Sequence, residues 1–480
     1  KIYALAAVMY LLAGCGLREV ESVSEINSAD YWKNKGDGES YLFGTYDQFR
    51  STLNGTAMYH CEDRGDTFMP GLTGGPSTAW HQTISASSGY GWNSFYSTIQ
   101  HCNSIIKNAA GVHFNIEAEK NVILGEAHFM RAYTYLSLLK SYGKVPLELE
   151  PTESSTKPKL ARAPQAEVMA RILEDVRVAI NYFGPADFPG GKSRASRQAC
   201  YALKADALLW KYKVLDSGDA QDLRDAIDAA EQASVGVELD DFANVYGTKK
   251  GREVIFAVHF DILEVAGHYS NQLKPKESHL GSAVNKNDLA WAKTAAGTTY
   301  MVSDAVRAVF DVNPTDKRKA LSIIEARTST SSIGWFDNKM RGTESAGDRA
   351  YDNDIVVYRL AEMILFKAEA HAALGETGPA VAQLNLVRNR AGIGDYSGAM
   401  DKDAVEVEIL DERFRELYLE RKRWHDLVRF HYGGTINVYD VVPNLSGKTG
   451  MPLFIPIPPS DMALNDKLEQ TEGWAEYESK

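Results

Sequence analysis

Residues 117–147, "EAEKNVILGEAHFMRAYTYLSLLKSYGKVPL", place the strongest constraint on what this chain can fold into. Leu124, Phe129, Tyr133, Leu136 and Leu139 recur at spacings of three to five, which lines them along one face of a 3.6-residue helix. Gly143 and Pro146 end it, because glycine closes a last turn and proline cannot extend one. "PQAEVMARILEDVRVAINYF" repeats the pattern with Val168, Ile172, Val176 and Ile180 behind Pro164. "RQACYALKADALLWKYKVLD" follows, rich in small residues (Ala199, Ala202, Ala205, Ala207), and "SGDAQ" joins it to "DLRDAIDAAEQAS". "YRLAEMILFKAEAHAALGETGPAVAQLNLVRNRAG" forms a second pair of similar size, turning at Gly375-Glu376-Thr377-Gly378. Alanines at the crossings let paired helices approach closely. These features predict a mainly α fold of tetratricopeptide-like helix pairs. Without a fixed period or a clean Trp-Leu-Gly-Tyr pattern, an irregular helical bundle is the alternative.

The helical scaffold is expected at about 92–245 and 350–432, framing loop-rich regions at about 61–92, 246–345 and 433–480 with a few short strands. "EVIFAVHF" reads as one strand, and "FIPIPPSDMALNDKLEQTEGW" has too many prolines for a helix or a central strand. Long loops in a compact protein usually carry function. The net charge of −12 argues against a nucleic-acid partner, whose phosphates it would repel, and against adhesion to anionic lipid by charge. Four cysteines in 480 residues are too few for a disulfide framework. His60-Cys61 and His101-Cys102 lack the Cys-x-x-Cys pairing of a structural zinc site, so they read as core residues and no metal or cofactor is expected.

The N-terminal run "KIYALAAVMYLLAGC" is shorter than the ~20 apolar residues of a membrane-spanning helix. A basic start, an apolar centre and small residues before a polar chain make it a secretory signal, with a core helix as the competing reading. Leu12-Ala13-Gly14-Cys15 resembles the bacterial lipobox, in which the cysteine is acylated and becomes the new N-terminus. Residues 1–14 are then the signal and 15–480 a single domain, anchored firmly once several acyl chains are attached.

Five stretches, in order, carry a wider likeness: the lipobox at Cys15, "WNSFYSTIQHCNSIIKN" at 92–108, "GEAHFMRAYTYLSLLKSYGKVPL" at 125–147, "LDERFRELYLERKRWHDLVRF" at 410–430 and "IPIPPSDMALNDKLEQTEGW" at 455–474. Together they resemble the SusD/RagB glycan-binding lipoproteins of Bacteroidetes. Two of these stretches depart from the family pattern: Arg421 stands where a glycine is usual, and a Gln-Asn-Pro-Gly ending becomes Gln470-Thr471-Glu472-Gly473. The resemblance implies a lipid-anchored, cell-surface lid on a SusC-like TonB-dependent outer-membrane transporter, capturing oligosaccharide without catalysis. Capture of a peptide or glycoconjugate is the nearest alternative. A secreted glycoside hydrolase would need two carboxyl groups ~5–10 Å apart across a cleft.

Arg413, Arg415, Glu416, Glu420, Arg421, Lys422, Arg423, Asp426 and Arg429 permit i,i+3 and i,i+4 ion pairs along one helix, a structural lattice whose cations spoil its carboxylates as general acids. Sugar recognition needs flat apolar faces with polar groups at their edges. Trp80 and His81 supply both in one loop, with Asp63, Arg64 and Asp66 upstream and Tyr90 beyond. A second cluster holds Asn285, Asn287, Asp288, Trp291 and Tyr300; a third holds Trp335, Asp337 and Asn338. The expected ligand contacts are Arg64, Asp66, Trp80, His81, Tyr90, Asn287, Trp291 and Trp335. The alternative for each tryptophan is that it caps a core. Trp92, Tyr96, Trp210 and Trp424 fall in helical patterns and are expected to pack.

Overall fold

The computed structural model describes residues 31–479 apart from 155, 186–187, 265–266 and 295–296; the signal segment and Cys15, with its expected acylation, lie outside the described residues. Helix α1 (Lys35–Cys61) starts behind Asn34, whose side chain accepts the Gly36 amide while Asp37 reaches back to the Asn34 amide. Helices α2 (Asn93–Asn108), α3 (Glu117–Tyr142) and α4 (Gln165–Phe183) pack in sequence. The α3 segment ends at Gly143, where φ is +71°. It is buried on more sides than the expected single face, because α2 covers one flank and α4 another. Gly125 allows that approach, since a Cβ there would stand 3.2 Å from the Phe183 ring. Arg131 and His128 are buried between the helices and both bond Asp175 of α4, at 2.7 and 2.8 Å.

Helices α5 (Arg197–Val214) and α6 (Ala220–Ala233) form the first alanine-rich pair, with Ala199, Ala202, Ala205 and Ala207 fully buried. Short α7 (Phe242–Gly247), α8 (Asp304–Asp311) and α9 (Arg318–Ser322) lie in the loop-rich region. The second pair is α10 (Leu360–Ala373) with α11 (Thr377–Ala391), and α10 packs on both α5 and α6, fusing the two pairs into one core. Helices α12 (Lys402–Glu416) and α13 (Arg423–Tyr432) complete the frame. The fold is therefore mainly α, as expected.

The expected single helix over 410–430 is broken. Between α12 and α13 the chain passes through Leu419 and Arg421 at φ +62° and +64°. The break turns the carboxylates of α12 and the following turn toward cations on other elements, so the lattice does not run along one helix. Arg318 bonds Glu412 at 2.7 Å and Glu416 at 2.8 Å, Arg359 bonds Glu253 at 2.6 Å and Glu420 at 2.9 Å, and Arg423 bonds Asp66 at 2.7 Å. The C-terminal proline segment is extended through Pro458 and then opens a short helix, Pro459–Leu464, because proline is tolerated in a first turn.

Among the described residues the strands are short and occur in four antiparallel pairs. Strand β1 (Phe68–Pro70) pairs with β3 (Tyr300–Val302), and β2 (Val254–Val258), the expected strand, pairs with β8 (Ile355–Arg359). Strands β4 (Ile323–Arg327) and β5 (Ser332–Asp337) form a hairpin, as do β6 (Thr343–Ser345) and β7 (Asp348–Ala350). Trp92, Trp210 and Trp424 are buried in the main core.

Candidate functional site

The loop from Glu62 to Trp92 has little regular structure, so side chains hold its shape. Asp63 lies buried beneath it and accepts from Ser77 Oγ at 2.5 Å and from the Tyr300 hydroxyl at 2.9 Å. Burial raises the Asp63 carboxyl to about 6 despite those two donors. The Tyr300 hydroxyl also accepts the Ser77 amide at 3.0 Å, tying the loop to β3. Gly71 is needed beside this junction, because a Cβ there would lie 2.1 Å from the Thr298 carbonyl oxygen. From the C-terminal region, Lys448 donates to the carbonyls of His81 and Gln82, and Asn444 donates to that of Trp80.

Aromatic rings gather on the outer side of this loop. Tyr90 stacks on Tyr59, the last-turn residue of α1, with centroids 4.8 Å apart and planes 14° from parallel. Tyr59 is 38% exposed and Tyr90 half-buried. The Tyr90 hydroxyl bonds Thr78 Oγ1 at 2.8 Å and accepts the Ala79 amide at 3.2 Å. Trp80 is half-buried, its indole N–H fixed to the Phe68 carbonyl at 3.0 Å, and exposed His81 meets it edge-on at 4.9 Å. Trp80 and His81 thus touch each other, and the Tyr90 hydroxyl is tied to the same turn through Thr78 and Ala79.

Other expected contacts fall in the interior. Arg64 is 1% exposed: it donates to Gln82 and to the carbonyls of Leu453 and Pro452, and its guanidinium lies 4.4 Å from the Trp424 ring centroid. Asp66 is buried and grips Arg423 through both oxygens. These two side chains brace the loop from below; the polar groups that read as sugar contacts are spent inside the protein.

Trp291 is 4% exposed and centres a satellite core with Leu280, Leu289 and Phe336. Leu72 of the first loop and Met301 of β3 pack against the same core, so the first and second clusters are mechanically joined. Asn285 clamps the backbone of Glu325 and Arg327, while Asn287 and Asp288 are exposed above this core. Trp335 lies on the opposite face of the β4–β5 hairpin from Gly334 and Phe336, between Arg307 and Lys319, with each cation less than 6 Å from its ring centroid. Its ring contacts are thus cations of α8 and α9 and none of the loop aromatics. Asp337 is buried in an ion pair with Lys274, and Asn338 donates to the Ala320 carbonyl. The sequence reading missed Tyr59, whose stacking partner is 31 residues away and invisible to local pattern.

Glu416, one of the paired carboxylates of the ionic lattice, is unsuited to work as a general acid. Burial alone would raise Glu416, but Arg390, Arg359 and Arg318 override it and hold the group well below the ordinary carboxylate range. Among the described residues no cluster of three or more histidines, cysteines or acids is arranged to hold a metal, Cys61, Cys102 and Cys200 are buried free thiols, and no helix is long and apolar enough to cross a membrane.

Comparison with known proteins places this arrangement. Residues 44–209 match the family described as "Starch-binding associating with outer membrane", and residues 311–474 match the SusD family. The SusD-like protein P38 of Formosa agariphila is 25% identical, the match covering 94% of each chain. The chain belongs to the SusD/RagB family. Among solved structures, Bacteroides fragilis NanU superposes with a TM-score of 0.82 at 26% identity, covering 95% of this chain and all of that one. A structure described as a laminarin-binding SusD-like protein has the same fold, with a TM-score of 0.76 at 20% identity over 92% of this chain and all of that one. Within this SusD/RagB chain the unusual residue at position 421 has a geometric meaning. Its φ of +64° is a conformation that favours glycine, so Arg421 occupies it under strain.

Proposed function

We propose that this protein binds carbohydrate at the surface formed by Tyr59, Tyr90, Trp80 and His81 and delivers it intact to a TonB-dependent outer-membrane transporter. One observation carries the reading: the half-exposed, near-parallel Tyr59–Tyr90 stack, tied through Thr78 and Ala79 to the turn that bears Trp80, with the loop locked from below by Asp63, Arg64 and Asp66. Rigid rings cover the C–H faces of a pyranose at little entropic cost, while Thr78 and His81 reach its hydroxyls. Asn287 and Asp288 extend the polar margin over the satellite core. Membership of a family described as starch-binding and outer-membrane-associated, together with the laminarin-binding member of the same fold, supports this ligand class. Acylation at Cys15 would tether the body to the membrane with no need of a spanning helix.

A glycan array probed with the wild-type protein and with Trp80→Ala tests the reading. Selective retention of one class of oligosaccharide, with weaker retention by the variant and no new reducing ends, is expected. Failure to retain any glycan, or release of shortened sugars, removes it.

A further inference from the structure

Beneath α13 lies a cavity of about 30 Å³, which shares no lining residue with the proposed sugar surface and is walled by Cys61 of α1 and by side chains of α3, α5, α10 and the 413–429 segment. Its charges almost cancel in pairs. Lys140 is matched by Asp206, Lys422 by Glu362, Arg413 by Asp426 and Arg429 by Glu369. Arg421 is left over. It is 7% exposed, and no ion pair among the described residues includes it. Its guanidinium makes one hydrogen bond, from Nη1 to the neutral Tyr133 hydroxyl at 3.3 Å. A buried cation without a counter-charge costs several kcal/mol, so a molecule that folds around one must supply the missing charge.

The cavity wall holds guanidinium donors awaiting an acceptor. Three of its residues carry buried nitrogen atoms with no protein partner: Nε of Arg421, Nη1 of Arg413 and Nδ1 of His425. The three carboxylates in the wall already face cations. A cavity of about 30 Å³ has room for a water-sized particle, so a single halide ion fits. We infer that this cavity binds one chloride ion, which serves as the counter-charge of Arg421 and as a structural part of the frame.

Diffraction from crystals soaked in bromide tests this on the unaltered protein, and thermal unfolding in sodium chloride against sodium gluconate at equal ionic strength tests it in solution. Arg421→Gly suits the left-handed backbone and removes the charge. Expected are an anomalous bromide peak within hydrogen-bonding distance of Arg421 Nε, a saturable rise in melting temperature with chloride, and loss of that rise in Arg421→Gly. A cavity that shows water without anomalous signal overturns the inference whether or not the variant folds. So does an equal chloride response in both proteins.

Discussion

The backbone amide of Arg421 donates to Oε1 of Glu62 at 2.8 Å, joining the end of α1 to the break between α12 and α13. That contact places a carboxyl group in the interior without a cation of its own. Burial raises Glu62 from its ordinary 4.5 to about 8, although Thr67 and the amides of Arg421 and Lys422 oppose the shift.

A folded-state pKa above the unfolded one means that the folded protein holds the extra proton between pH 4.5 and 8. Stability from this group is complete below that window and is lost as pH rises through it. Glu62→Gln keeps an acceptor for the Arg421 amide and removes the titration. Urea unfolding at pH 5 and pH 8 should show the variant gaining on the wild type as pH increases. A constant difference across the range would contradict the assignment.

Trp80 and Trp291 should separate cleanly. Trp80→Ala should weaken glycan binding by about 1–3 kcal/mol with a small change in melting temperature. Trp291→Ala empties the satellite core and should cost about 3–5 kcal/mol of stability. Calorimetry and thermal unfolding on both variants read the two effects independently.

Arg359→Leu removes the cation shared by Glu253, Glu416 and Glu420, all of them buried. Each keeps a second cation, Arg390, Arg318 or Lys339, but the lost partner leaves the buried set short of positive charge and should destabilise the protein by about 3–5 kcal/mol, read as a fall in the urea midpoint.

Gly71→Ala drives a methyl group into the Thr298 carbonyl at the β1–β3 junction. It should cost about 1–3 kcal/mol and also weaken glycan binding, because the loop bearing Trp80 starts at that junction. An unchanged affinity would show that the sugar surface does not depend on this pairing.

The sequence made the helices legible because each carries its own periodicity and stops. Gly143 ends α3 and Gly375 turns the second alanine pair, as their positions suggested. The helix break at 417–422 was hidden, since its residues have good helical patterning and the cations that meet its carbonyl and carboxylate groups, Arg318, Arg359 and Lys339, come from other elements. The aromatic loop was legible as a region, and Trp80, His81 and Tyr90 come together there. Arg64 and Asp66 look from sequence like ligand groups because a polar side chain in a glycine-rich loop carries no mark of its partner. Leu453 is 389 residues from Arg64, and Arg423 is 357 from Asp66. Trp335 follows the same rule, as pleat alternation in a hairpin decides its face.

The most direct measurement is a crystal structure with the best-retained oligosaccharide bound. The account predicts a pyranose ring lying over the Tyr59–Tyr90 and Trp80 surface, with its hydroxyls bonded to Thr78 or His81. A sugar held at Trp335, or anywhere else with that aromatic surface left bare, would contradict it.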